Sequence, residues 1–334
     1  MDPIHLLSVS PLSFWPPSFQ ACSDLLSSWP PVSLRHGEVP VLPLALEEVM
    51  HPRRSVLYMP GANPRAMDKA RTLACDSIIF DLEDAVAPGS KAEARGNVAQ
   101  TLQQGGYGYR ELIVRCNGTD TPWWRDDVAE FAGQPVSALL FPKIESLTQV
   151  EEIAAAVDEA GGSKLPLWLM IETPVGVLDL AEFAGHSRVT TLVMGTSDLV
   201  KELRAEHVAD RRNLDFALQR CVMIARRYGR DILDGVHLDF RNLESFRSTC
   251  EDGRAIGFDG RTLIHPGQID IANEVFGFDA AAIEHAHRVM QAWQEAITAG
   301  KGVAVLDGKL IENLHAEEAE RVLAFAAAVA AREA

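Results

Sequence analysis

Short apolar runs recur between residues 55 and 264, roughly every 20 to 35 residues, and each breaks off into a polar or glycine-bearing tail. The runs are 55–59, 77–80, 112–114, 138–141, 167–171, 191–194, 236–238 and 262–264. Their tails read Pro60-Gly61, Asp81-Leu82-Glu83-Asp84, Arg115-Cys116-Asn117, Pro142-Lys143, Glu172, Gly195 with Asp198, Asp239, and His265-Pro266. Helices are predicted between them at 64–73, 91–103, 123–131, 146–160, 177–183, 213–228 and 243–256. Ser146 with Gln149 three residues on, then Val150, Ile153, Ala154 and Val157 at helical spacing, predicts a capping box and an amphipathic helix. Strand followed by helix, repeated about eight times, predicts a parallel sheet with right-handed crossovers. Near-continuous apolar strands are those buried on both faces. An open doubly wound sheet gathers its ligand at one switch point, whereas eight decorated strand ends favour closure into a (β/α)8 TIM barrel. In a barrel those tails converge on one face, which points to an enzyme.

Beyond residue 266 the pattern changes to two alanine-rich helical stretches, 283–299 and 316–332, joined by a glycine-bearing segment at 300–309. That tail is surplus to a barrel and predicts a helical lid over the pocket or an arm gripping a neighbour. The first 49 residues are rich in Pro, Ser, Trp and Leu and contain no Lys. They read as a poorly ordered extension, with Asp2, Pro3, Pro11, Pro16 and Pro17 spoiling a secretory signal. A start at Met50 is the corresponding expectation. The predicted organisation is therefore extension 1–49, barrel 50–275 and C-terminal segment 276–334.

With 334 residues and 47% hydrophobic content, the chain can bury one large core. A formal charge of −16 argues against a general grip on nucleic acid, so anions must be met by a few placed cations or a metal. Five cysteines without a C-x-x-C pair indicate neither a disulfide framework nor a thiolate zinc site, and a reducing cytoplasm is the simplest setting. No run of 18 apolar residues predicts a membrane span. The phosphate-loop pattern and the G-x-S-x-G elbow are both missing.

Glu172 and Asp198 each follow an apolar run on what would be adjacent strands. Two carboxylates there suit Mg2+, which takes oxygen ligands and keeps water positions for an anionic substrate. Alternatively, each caps the helix that follows. Arg115 offers a planar fork to a carboxylate or enolate oxygen, with Asn117 beside it, or else pairs with Asp81, Glu83 or Asp84 in a rim network. Alternation aims Asp81 and Glu83 the same way, near that cation. Lys143 could reach a phosphate or pair with Glu145. Asp239 and His265 are weaker candidates, and His265 reads equally well as a packed loop residue.

In order along the chain, Arg54-Ser55-Val56-Leu57-Tyr58-Met59-Pro60-Gly61, 81–84, 115–117, Pro142-Lys143-Ile144-Glu145, Glu172-Thr173-Pro174-Val175-Gly176, 195–199 and 257–266 resemble motifs of one family. It is the CoA-ester lyase family of citrate lyase β-subunits, malyl-CoA lyases and citramalyl-CoA lyases, akin to the HpcH/HpaI aldolases. The resemblance spans about 53–323. It implies a barrel of the phosphoenolpyruvate/pyruvate type, Mg2+ on Glu172 and Asp198, a 2-oxo acid clamped by the ion and Arg115, and a homotrimer or a pair of trimers. It also implies CoA contacts at Arg53, Arg54 and Lys143. Family members with a lid resemble one another in a Met-Ile-Asp-x-Pro stretch that supplies a catalytic Asp to a neighbour. Here the aligned residues are Leu310-Ile311-Glu312-Asn313-Leu314, so Glu312 keeps the carboxylate with one methylene more and the Pro is missing.

The expected reaction is reversible C–C cleavage of a 3-hydroxyacyl-CoA, such as malyl-CoA or citramalyl-CoA, to acetyl-CoA and glyoxylate or pyruvate. Arg115 would stabilise developing charge, and Glu312 or Glu83 would move the proton. The alternatives are a citrate lyase β-subunit acting on citryl-acyl carrier protein, a class II 2-oxo-acid aldolase, and a non-catalytic CoA-binding module.

Overall fold

The computed structural model describes residues 50–332; the predicted extension at 1–49 lies outside the described residues. In chain order the elements are β1 (Ser55–Pro60), α1 (Pro64–Ala70), β2 (Ser77–Asp81), α2 (Lys91–Gln104), β3 (Glu111–Arg115), α3 (Trp124–Phe131), β4 (Ala138–Phe141), α4 (Leu147–Glu159) and β5 (Leu167–Ile171). They continue with α5 (Pro174–Phe183), β6 (Val189–Met194), α6 (Thr196–Glu202), α7 (Asp215–Arg227), β7 (Asp231–Asp234), α8 (Leu243–Ile256), β8 (Gly260–Leu263) and α9 (Ile269–Val275). The tail holds α10 (Ala280–Thr298), β9 (Ala304–Leu306), β10 (Lys309–Ile311) and α11 (Asn313–Ala330). Strands β1 to β8 close into a parallel barrel, sealed by β1 pairing with β8 with Leu57 opposite Leu263. The expected (β/α)8 fold is present.

The barrel interior is filled by Val56, Ile79, Ile113, Ala138, Leu140, Trp168, Met170, Val193 and Leu233. Alternate residues of the same strands pack outward on the helices, so both faces are buried, as the continuous apolar runs required. Ser146 caps α4 by accepting the Gln149 N–H at 3.3 Å. The reciprocal half of the box shifts by one residue, since Gln149 Oε1 accepts from Glu145 N at 3.0 Å.

The expected seventh strand, 236–238, is a loop; the strand is Asp231–Asp234. Two acids in four residues hide it from the apolar pattern, and both are neutralised in the fold. Asp231 pairs with Arg53, and Asp234 with Arg211 at 2.7 Å.

Arg53 and Arg54, expected at a CoA site, precede β1 and so lie at the N-terminal end of the barrel, away from the strand tails. Arg53 donates to Glu111 at 2.7 and 2.8 Å, and its guanidinium lies 5.1 Å from the Trp168 ring centroid. Arg54 forks onto Asp76 at 2.8 and 2.9 Å. Both plug the closed end of the barrel, and that corrects the sequence expectation.

The predicted tail helices form α10 and α11, with a two-stranded antiparallel ribbon of β9 and β10 in the joining segment. Ala286, Val289, Ala296, Ala304, Ile311, Ala319 and Val322 make a small core of their own. Arg332, just past α11, donates to Asp76 Oδ1 at 2.6 Å and to the Pro52 carbonyl at 3.0 Å. The tail is thereby fastened at the N-terminal end, and none of its described residues lines the mouth cavity of its own barrel.

Candidate active site

The strand tails surround a cavity of about 420 Å3 at the C-terminal end of the barrel. Its polar wall includes Asp81, Asp84, Arg115, Glu172 and Asp198, with Thr196, Ser197 and Thr262 adding hydroxyls. Met170, Met194, Val236, Leu238 and Ile264 supply the apolar wall.

Asp81 ends β2, Arg115 ends β3, and the two are register partners. Arg115 Nε and Nη2 donate to the two Asp81 oxygens at 2.7 and 2.6 Å, a bidentate pair. Its Nη1 lies 2.8 Å from Glu83 Oε2 and 3.8 Å from Asp84 Oδ2. Tyr58 presents its ring 5.0 Å from the guanidinium. Burial opposes the charge on Arg115, yet Asp81 beside it holds the pKa well above the usual value. The rim network that the acidic run allowed therefore exists, and Arg115 faces the cavity within it.

Glu172 follows β5 and is 2% exposed. It is not the cap of α5, because Thr173 accepts the Gly176 N–H there at 3.0 Å. One Glu172 oxygen instead accepts the Lys143 N–H at 2.9 Å. Burial, then Glu83 and Asp198, push the Glu172 carboxyl up to about 8, with Arg115 pulling back. Asp198 sits in the first turn of α6, which Gly195 precedes. A Cβ on Gly195 would collide with the Glu172 side chain, so the glycine leaves room for the carboxylate.

Two converging carboxylates that repel one another, one of them buried, are a donor set that a hard divalent cation fits. Among the described residues no group of three or more His, Cys, Asp or Glu side chains could hold a metal ion. The donor set offered here is two carboxylates, a number that would leave water and substrate positions on a Mg2+ ion.

Other expected residues fall elsewhere. Asn117 points away from the cavity: its N–H and amide both donate to Asp127, at 2.9 and 2.6 Å. Glu83 is absent from the wall; its oxygens are engaged by Arg115 and, at 3.3 Å, by Lys143 Nζ. It pairs with those cations, and burial raises its carboxyl above the usual range, with Arg115 pulling back. Lys143 sits at the rim with its side chain 44% exposed. Burial works against its charge, but Glu83 and Glu172 outweigh that and raise its pKa. Its backbone is left-handed, φ 55°, a costly conformation for a non-glycine residue. Glu312 is exposed at the start of α11 and outside its own chain's cavity. His265 stacks on Phe240 with centroids 4.9 Å apart and accepts the Gly267 N–H, an exposed loop residue outside the cavity wall. Tyr58 escapes sequence reasoning, because an aromatic inside an apolar run reads as core.

Comparison with known proteins places the chain in a family. The (3S)-malyl-CoA thioesterase of Cereibacter sphaeroides is 50% identical over 281 residues, covering 84% of this chain and 97% of that protein. An L-malyl-CoA/beta-methylmalyl-CoA lyase of the same species is 30% identical, covering 84% and 96%. The crystal structure of CitE from Mycobacterium tuberculosis in complex with magnesium, acetoacetate and coenzyme A superposes with TM-score 0.67 at 27% identity, over 82% of this chain and 97% of that one. Residues 54–266 match the model of one family, and the chain belongs to it: HpcH/HpaI aldolase/citrate lyase.

Proposed function

We propose that the chain is a Mg2+-dependent enzyme acting on a malyl-CoA-type ester, an acyl-CoA with a hydroxyl and a carboxylate at its far end, and that it hydrolyses the thioester. The observation that carries the substrate class is the meeting of Arg115 with the Glu172–Asp198 pair in a cavity of about 420 Å3, sized for the acid half. Hydrolysis is favoured over carbon–carbon cleavage by the relative named a thioesterase, at 50% identity against 30% for the named lyase.

A divalent ion on Glu172 and Asp198 would supply a Lewis acid for the carboxylate and hydroxyl of the acid half. Arg115, locked by Asp81 and Glu83, presents fixed positive charge to oxygens that gain charge during reaction. The apolar wall of Met170, Met194, Val236, Leu238 and Ile264 keeps bulk water from the buried end. The pantetheine arm would leave through the open mouth past Lys143. The base that activates water is assigned to Glu312 of a second copy, because this carboxylate stands exposed at the start of α11 in its own chain. The oxygen of that water bonds to the acyl carbon, the C–S bond breaks, and the thiolate takes up a proton. An assembly of at least two copies is the setting this requires.

The second reading is carbon–carbon cleavage on the same site, favoured by the intact Arg115–Asp81–Glu83 cluster that could equally stabilise an enolate. Malyl-CoA incubated with protein and Mg2+ separates the two. Free thiol with malate and no glyoxylate supports hydrolysis, glyoxylate with acetyl-CoA supports the lyase, and neither product rejects both.

A further inference from the structure

Between the outer wall of β7–β8 and α8 lies a charged cluster that the site above does not use. Asp234 and Arg261 are both 0% exposed. Asp234 Oδ1 accepts from Arg211 Nη1 at 2.7 Å, and Oδ2 lies 3.3 Å from Arg261 Nη1. Arg211 also donates to the Thr249 carbonyl at 3.1 Å, and Arg261 to the Thr249 hydroxyl at 3.0 Å. Space for the carboxylate depends on Gly253 of α8, where a Cβ would approach Asp234 Oδ2 to 2.8 Å. Buried charge of this kind costs desolvation, and stability alone is a weak reason for it.

Its connections lead to the mouth. Asp234 Oδ1 also accepts the Gly235 N–H at 2.7 Å, and the Asp234 carbonyl accepts from Thr262, a wall residue, at 3.0 Å. Gly235 in turn packs so closely on Thr196 that a Cβ there would stand 2.7 Å from Thr196 Cγ2 and 2.9 Å from the Met194 carbonyl. Thr196 opens α6, the helix bearing Asp198. Arg211 lies at the far end of the loop that leaves α6, held at φ 52°. Asp234 thus holds the far end of the segment carrying Asp198 directly, through Arg211, and meets its near end through Gly235.

We infer that the Asp234–Arg211–Arg261 cluster is the positioning device of the divalent-ion site, setting Asp198 opposite Glu172. The inference rests on the metal reading of that pair. Outer partners that orient metal ligands typically change affinity about 10- to 100-fold when removed.

The test is Mn2+ affinity, read by electron paramagnetic resonance on the full chain, beside the thermal midpoint. Arg211→Met leaves Asp234 paired with Arg261, so the fold should persist while the far grip is lost. The expected result is about tenfold weaker Mn2+ binding, with partial recovery in Arg211→Lys. Long-range electrostatics predicts the opposite sign, because deleting a positive charge favours a cation. Unchanged or tighter binding by Arg211→Met overturns the inference. Should that variant not fold, Gly235→Ala carries the test, and wild-type affinity there overturns it equally. If Asp198→Ala binds Mn2+ as well as wild type, the metal reading fails and takes the inference with it. If Asp198→Ala loses the ion and Arg211→Met does not, only the positioning role is rejected.

Discussion

Three acids and a phenol ring converge on Arg115, and the arrangement fixes what a substitution there will do. Lysine carries the charge but cannot fork onto Asp81 at 2.6 and 2.7 Å while also meeting Glu83. Arg115→Lys is expected to lower kcat/KM for malyl-CoA by about 100-fold or more, measured by steady-state thiol release. Glu172 gives a pH signature. Its folded pKa of about 8 lies above that of an unfolded glutamate, so its contribution to stability is complete at low pH and is lost as pH rises through about 8. Ion-free wild type should therefore lose stability, on the order of 1–3 kcal/mol, between about pH 5 and pH 8 relative to Glu172→Gln, by thermal unfolding in a chelator. Mg2+ at pH 8 should restore it in wild type alone. Gly195→Ala should abolish ion binding by displacing Glu172, detectable by calorimetry. Glu172 and Arg115 are legible in the sequence because a charged side chain directly after an apolar run must sit where a buried strand reaches the barrel mouth. Asn117 is not, since sequence shows a residue's type but not that Asp127 claims both of its donors.

Seven of the eight barrel strands announce themselves because a strand buried on both faces must be apolar. β7 does not, as Asp231 and Asp234 break its run and are paired with arginines 178 and 23 residues away in sequence. The same long-range pairing hides the role of Arg53, whose partners sit on β3 and β7. Arg53→Met leaves Glu111 and Asp231 without their cation at the closed end of the barrel. It should cost about 3 kcal/mol in denaturant unfolding while leaving KM for the CoA ester unchanged; a raised KM would return Arg53 to the CoA site. The loop after β4 reads in sequence as a place where Lys143 meets phosphate. Its left-handed backbone instead aims an N–H at Glu172, a role invisible without φ angles.

At the scale of the whole molecule, the tail reaches back to the closed end of the barrel through Arg332 while its β9–β10 ribbon leaves Val305 and Leu310, opposite one another, 69% and 52% exposed. An apolar ribbon face beside Glu312 suits docking on a second copy. If Glu312 serves a neighbour's cavity, mixing inactive Asp198→Ala with inactive Glu312→Ala protein after joint refolding should regain thiol release, because some sites then combine two intact halves. No regain would place the base elsewhere. The repeat of strand and helix, the closure it demands and the acids and arginine at the strand ends were determined by the sequence alone, because burial on two faces dictates composition locally. Direction was decided only by the tertiary structure. Which end of the barrel an arginine occupies, which carboxylate is free and which is held, and where the tail is fastened all depend on partners distant in the chain, and no local pattern encodes those distances.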